Sequence, residues 1–255
     1  MVNASAPEAT RFVTLYNSIM LLRLVLASSI LLGFSAFAAC GNGDTREPVS
    51  SQPARPAPDA TTNPDAAKII AFGDSLTAGL GLAGERESYP SLLQEMLRRD
   101  GFDYEVVNAG VSGHTSADGL ARIDWVLDGH RNVRVLVLEL GANDLLRGRP
   151  VSEMKKNLSE IIRRAKARGA RVLLAGMIAP TNQGREYQRE SAEAFKSLAA
   201  EHGVTFLPFF LDRVAGVAEL NQPDGIHPNP QGTKIVAETV YRALRPMLEE
   251  ERARN

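Results

Sequence analysis

Apolar positions in this chain come in two textures, and the change between them falls at Lys68. Before it, Leu24 to Ala39 form one uncharged, mostly apolar stretch, followed by a segment with few large apolar side chains. After it, short apolar runs alternate with segments of helical period. The runs are "KIIAF" (68–72), "YEVVN" (104–108), "VRVLVLEL" (133–140), "RVLLAGMI" (171–178) and "VTFLPF" (204–209). Rich in Val, Ile and Leu and lacking polar alternation, they predict five strands buried on both faces. Between them, Met154, Leu158, Ile161, Ile162 and Ala165 recur at helical spacing and describe one face of a helix that closes at Gly169. Leu92, Leu93, Met96 and Leu97 do the same before Gly101, and Ile235, Val236, Val240 and Leu244 begin a last helix. Strand followed by helix, five times over, predicts an α/β fold with a parallel sheet covered by helices on both faces. Ligands of such sheets bind outside the carboxyl ends of the strands.

Composition divides the chain into three. Its 255 residues, 44% hydrophobic and 23% charged, suit one globular domain with appendages. Arg11 and Arg23 precede the apolar stretch, which is too short for a comfortable membrane span and has the form of a secretory signal, so residues 1–39 are expected to be a signal peptide. Met20 is an alternative start. The stretch ends "AFAAC", where the chain's only cysteine, Cys40, follows two alanines in a pattern that resembles the lipobox of bacterial lipoproteins. That resemblance implies a lipid anchor on Cys40. It departs in having Phe37 where leucine is usual, and ordinary cleavage after Ala36-Phe37-Ala38 remains the competing reading. Residues 40–66, with five prolines between Gly41 and Ala66, cannot bury enough surface to fold and read as a disordered tether spanning on the order of 30 Å. Residues 67–255 carry the folded domain. The net charge of −1 and the absence of a basic run give no footprint for nucleic acid.

Chemistry concentrates after the predicted strands. "GDSL" follows the first and places Ser75 in a loop at the carboxyl edge, where Gly73 permits a tight turn. "NAGVSGHTS" follows the second and supplies Gly113, whose backbone N–H can approach a ligand closely. "GAND" follows the third and supplies Asn143, a side-chain amide able to donate to an oxyanion. Of the four histidines, His130 and His202 read as surface residues. His227 stands three residues after Asp224 in "DGIH", a spacing that lets one turn of chain hold a carboxylate against one ring nitrogen while the other faces a nucleophile. Each motif alone is ordinary turn chemistry. Together they place a nucleophile, a base and hydrogen-bond donors along one edge of the sheet.

"FGDSL", the glycine of "VSG", "GAND" and "DGIH" resemble, in order and spacing, the four blocks of the SGNH (GDSL) hydrolase superfamily, and the resemblance runs from Lys68 to about Leu248. "GLARID", "LELGANDLLRG", "LPFF" and "DGIHPN" are similar to its bacterial thioesterase I, lysophospholipase L1 and arylesterase subgroup. The resemblance implies Ser75 as nucleophile, His227 as general base and Asp224 as its orienting partner, with oxyanion donors from the Ser75 and Gly113 backbone and the Asn143 side chain. It implies a flavodoxin-like three-layer α/β/α sandwich of strand order 2-1-3-4-5 with no metal and no organic cofactor; with the signal segment, the expectation is an exported serine esterase acting on aryl, alkyl or lysophospholipid esters, with thioesters as a further candidate class. Two positions depart from the pattern, His114 after Gly113 and Leu145 after "GAND", and both are expected to reshape the rim. Leu146, Met177 and Ile178 are candidates to line the acyl site.

Two other classes are weighed. Gly79, Gly81 and Gly84 spell G-x-G-x-x-G, with Glu105 about 20 residues on, the form of a dinucleotide-binding loop. The spacing is poor, because "GDSLTA" intervenes between strand and glycines. A non-catalytic binding lipoprotein on a retired hydrolase fold is the other.

Overall fold

The computed structural model describes residues 65–254. The expected signal segment, Cys40 and all but the last two residues of the 40–66 tether lie outside them. Five strands, β1 (Ala67–Gly73), β2 (Tyr104–Gly110), β3 (Val133–Glu139), β4 (Arg171–Ala175) and β5 (Thr205–Leu207), form one parallel sheet in the order β2-β1-β3-β4-β5. This is the order implied by the resemblance. β1 and β3 lie inside the sheet, and their Ile69 to Phe72 and Val135 to Leu138 have no exposed surface.

The apolar runs overstate three strands. β2 is half-buried along its whole length, because it is an edge strand with a neighbour on one side only. β4 stops at Ala175 and β5 has only three residues. There the chains draw together over Gly176, where a Cβ would meet the Pro208 carbonyl at 2.4 Å. Pro208 itself has no N–H to continue a ladder.

The helices are α1 (Ser75–Ala78), α2 (Tyr89–Arg99), α3 (Ser116–Asp128), α4 (Ala142–Leu146), α5 (Val151–Ala167), α6 (Arg185–His202) and α7 (Pro230–Arg252). α5 packs against α3 and α6 in one layer, and α2 packs against α7 in the other. The stripe read from the sequence is the buried face of α5: Met154, Leu158, Ile161, Ile162 and Ala165 are all inaccessible to solvent. Each of its four large side chains contributes about 1.5–3 kcal/mol of transfer free energy. Among the described residues no helix is long and apolar enough to cross a membrane. Because all five strands run the same way, the loops that follow β1, β2 and β3 open on one edge of the sheet, and the loop between β5 and α7 returns to it.

Candidate active site

Ser75 owes its position to the shortness of α1. β1 ends at Gly73, and Asp74 caps the helix by accepting the Leu76 N–H at 3.0 Å. Gly79 ends it four residues later in the left-handed conformation, φ 80°. Ser75 is thus the first residue of a single turn, with a backbone N–H that has no partner within the helix. Its Oγ stands 2.8 Å from Nε2 of His227.

The histidine is held by one turn of chain, as its spacing from Asp224 predicts. Asp224 Oδ1 accepts the N–H groups of Ile226 and His227, both at 3.0 Å, and Oδ2 stands 2.7 Å from His227 Nδ1. Gly225, at φ 74°, makes the turn possible. The hydrogen bond from the His227 ring, followed by that from its backbone N–H, holds the Asp224 carboxyl down at about 2. An ionised Asp224 accepts the proton on Nδ1 and leaves Nε2 as an acceptor aimed at the serine hydroxyl. The Asp224 side chain is 45% exposed and that of His227 13%, so water reaches the far end of this relay.

Gly113 and Asn143 line the same cleft as Ser75 and His227. Gly113 has φ +81°, and a Cβ there would come no closer than 3.9 Å to any neighbour, so conformation rather than space calls for glycine. Its carbonyl accepts from Arg147 at 2.9 Å. The Asn143 amide donates to Asp74 Oδ2 at 2.9 Å and to the His114 carbonyl at 3.0 Å. An oxyanion held by this amide must therefore share one of those N–H groups.

A buried acidic network under the serine went unread in the sequence. Glu139, the last residue of β3, is fully buried. Its Oε2 accepts the Thr77 hydroxyl at 2.7 Å and the Asp74 N–H at 3.2 Å, while Oε1 has no partner. Burial, then the nearby Asp74 charge, raises this carboxyl well above the usual range. Burial also pushes Asp74 up to about 6, against the opposing pull of the Leu76 N–H and the Asn143 amide. Burial thus favours the protonated form of both carboxyls, and Asp74 Oδ2 is the oxygen that engages the Asn143 amide. The signal available was a single carboxylate within the apolar run "VLVLEL".

The cleft beside Ser75 has a volume of about 360 Å³, within the range of small-molecule sites. Leu146, Met177 and Ile178 line it as expected, Met177 deeply buried and the other two at the mouth. Leu145 is buried and forms part of the wall. The opposite wall, Phe209, Leu211, Ala215 and Ile226, was not anticipated. His114 is not on the rim as expected; its ring faces Arg122. Neither His130 nor His202 lines the cleft, and His202 is half-buried, with Nε2 2.7 Å from Ser159 Oγ. Gly79, Gly81 and Gly84 occupy the turns after α1 and open no helix at a strand end, so they make no dinucleotide loop. Among the described residues no group of three or more His, Cys, Asp or Glu side chains is arranged to hold a metal ion.

Residues 71–235 match the GDSL-like Lipase/Acylhydrolase family. The arylesterase of Vibrio mimicus is 40% identical over 177 residues, covering 69% of this chain and 88% of that protein. Thioesterase 1/protease 1/lysophospholipase L1 of Escherichia coli strain K12 is 36% identical over 180 residues, 71% of this chain and 84% of its own. Among solved structures, the psychrotrophic esterase EstA from Pseudoalteromonas sp., inhibited by monoethylphosphonate, superposes with a TM-score of 0.68 at 31% identity, covering 71% of this chain and 98% of its own. The chain belongs to the GDSL-like lipase/acylhydrolase family. Within it, the protein is an esterase of the SGNH type.

Proposed function

We propose that this chain is an exported serine esterase that cleaves carboxylic esters through an acyl-enzyme on Ser75. The observation that carries the reading is the continuous relay from Asp224 through His227 to the Ser75 hydroxyl, at 2.7 and 2.8 Å, opening on a largely apolar cleft. His227 Nε2 takes the hydroxyl proton as Oγ adds to the ester carbonyl. The Ser75 and Gly113 N–H groups and the Asn143 amide hold the oxyanion. The proton passes from His227 to the leaving alcohol as the C–O bond breaks, and water, deprotonated by the same imidazole, releases the acid and restores the serine.

The substrates proposed are esters met in the cell envelope: aryl and short-chain alkyl esters and lysophospholipids, with thioesters cleaved as alternative substrates. The names of the Vibrio and Escherichia relatives support these classes. Export and a lipid anchor on Cys40 rest on the sequence pattern of residues 24–40. Metabolic labelling with palmitate tests the anchor: label should enter the wild-type chain and be absent from Cys40→Ser. The enzymatic test is hydrolysis of p-nitrophenyl esters from acetate to palmitate by wild type and Ser75→Ala. Turnover in the wild type and near-complete loss in the variant support the reading; equal turnover in both overturns it.

A further inference from the structure

Arg122 is a half-buried cation for which no carboxylate among the described residues stands within ion-pair distance. It lies on α3 seven residues after Thr115, the N-cap, and so on the same face two turns on. Helical side chains lean toward the helix N-terminus, which carries this one back along α3 toward the loop that holds Gly113. Its guanidinium lies 3.9 Å over the Phe72 ring. From there one amino group donates to the Gly73 carbonyl at 2.8 Å and Nε–H donates to His114 Nδ1 at 3.2 Å. Burial lowers its pKa to about 10 without removing its charge at neutral pH.

Both partners are backbone neighbours of the anion hole. Gly73 is two residues before Ser75, and its carbonyl also accepts the Val111 N–H at 3.1 Å, joining the first loop to the second. His114 follows Gly113, and its carbonyl receives the Asn143 amide at 3.0 Å. The remainder of the second loop is fixed at its far end, where Thr115 and Asp118 form a capping box and Ser116 donates twice to Asp144, at 2.7 Å each. Between that anchor and Val111, residues 111–113 are exposed. The Arg122 contact to the His114 ring and the Arg147 contact to the Gly113 carbonyl restrain this span, together with the Asn143 amide on the His114 carbonyl.

We propose that Arg122 and His114 are positioning residues for the anion hole: the guanidinium, held by Gly73, sets through the His114 ring how far the Gly113 N–H and the Asn143 amide stand from Ser75. The proposal rests on the reading of Ser75, Gly113 and Asn143 given above. It assigns His114 the work of a neutral acceptor. A neutral ring with Nδ1 bare fits the donated Nε–H, and an asparagine Oδ1 occupies nearly the same place as Nδ1. Arginine is required because one planar fork reaches both acceptors, which an ammonium does not.

The test compares kcat and KM for a short p-nitrophenyl ester, with thermal unfolding as control, in Arg122→Leu, His114→Leu, His114→Asn and the double leucine variant. Arg122→Leu and His114→Leu are expected to lower kcat by roughly 10- to 10²-fold with KM little changed, as misplaced transition-state donors do. His114→Asn should recover most of the loss seen in His114→Leu at equal thermal stability, and the double variant should fall no further than Arg122→Leu alone. A folded Arg122→Leu with wild-type kcat, or equal rates in His114→Leu and His114→Asn, overturns the proposal. If Arg122→Leu does not fold, the two His114 variants decide. Failure of the esterase reading is distinguished by Ser75→Ala, which would then keep turnover whatever the Arg122 result.

Discussion

Glu139 Oε2 lies 2.3 Å from the point a Cβ on residue 73 would occupy. The glycine of "FGDSL" is therefore demanded by an acid on the neighbouring strand as well as by the turn. The same point is 2.0 Å from Thr77 Oγ1 and 2.6 Å from the Glu139 carbonyl oxygen, and the carbonyl belongs to a buried strand that cannot retreat. Gly73→Ala is expected to cost about 1–3 kcal/mol or more, the range for forcing a methyl into a packed core. Urea unfolding measures it, and an unchanged midpoint would contradict this packing.

The acidic pair leaves a pH signature. Glu139 and Asp74 both bind protons more tightly in the folded protein than they do at their ordinary values of 4.5 and 3.8. The stability they contribute is fully present below those unfolded values. It is lost as pH rises, for Asp74 through its value of about 6. Glu139→Gln imitates the neutral acid and removes its share of that dependence. Thermal unfolding from pH 5 to pH 8 should show a smaller fall in Tm for the variant than for the wild type; parallel curves would mean that Glu139 is ionised in the native state.

Asp224 acts in the opposite direction. Its pKa of about 2 keeps it charged at any pH where the enzyme works, so what it supplies is the tautomer and aim of His227. Asp224→Asn is expected to lower kcat by about 10²- to 10⁴-fold, toward the smaller figure because the carboxylate is partly hydrated. Steady-state kinetics on a short ester measures this, and a loss in KM alone would show that Asp224 serves binding instead.

Why some of this was legible and some was not follows from where each residue sits. Ser75, Gly113 and Asn143 each interrupt the chain directly after an apolar run, and in a parallel sheet every such interruption falls on the same edge. Asp224 and His227 were legible because three residues separate them and one turn joins them. Glu139 hid inside an apolar run, and the Asp74 N–H that it accepts comes from 65 residues away. Arg122 lies in "GLARID", and nothing in its neighbourhood announces Gly73, 49 residues earlier. The short β4 and β5 and the cleft wall from Phe209 to Ile226 depend on loop packing, for which hydrophobic period carries no signal.

Chain-length preference should follow the cleft mouth. Ile178 is half-exposed there and lines the cavity. Ile178→Trp narrows the cavity while leaving the sheet intact. The ratio of kcat/KM for a decanoate to that for an acetate should fall by roughly 10-fold, the effect of a few methylenes denied an apolar pocket. An unchanged ratio would place the acyl chain elsewhere.

The central claim is that Ser75 is the nucleophile, and covalent labelling tests it most directly. The purified chain treated with a fluorophosphonate and measured by intact mass should carry one phosphonyl adduct, mapped to the peptide containing Ser75, and Ser75→Ala should carry none. An adduct that persists in Ser75→Ala, or a folded wild type that takes up no label, would contradict the account.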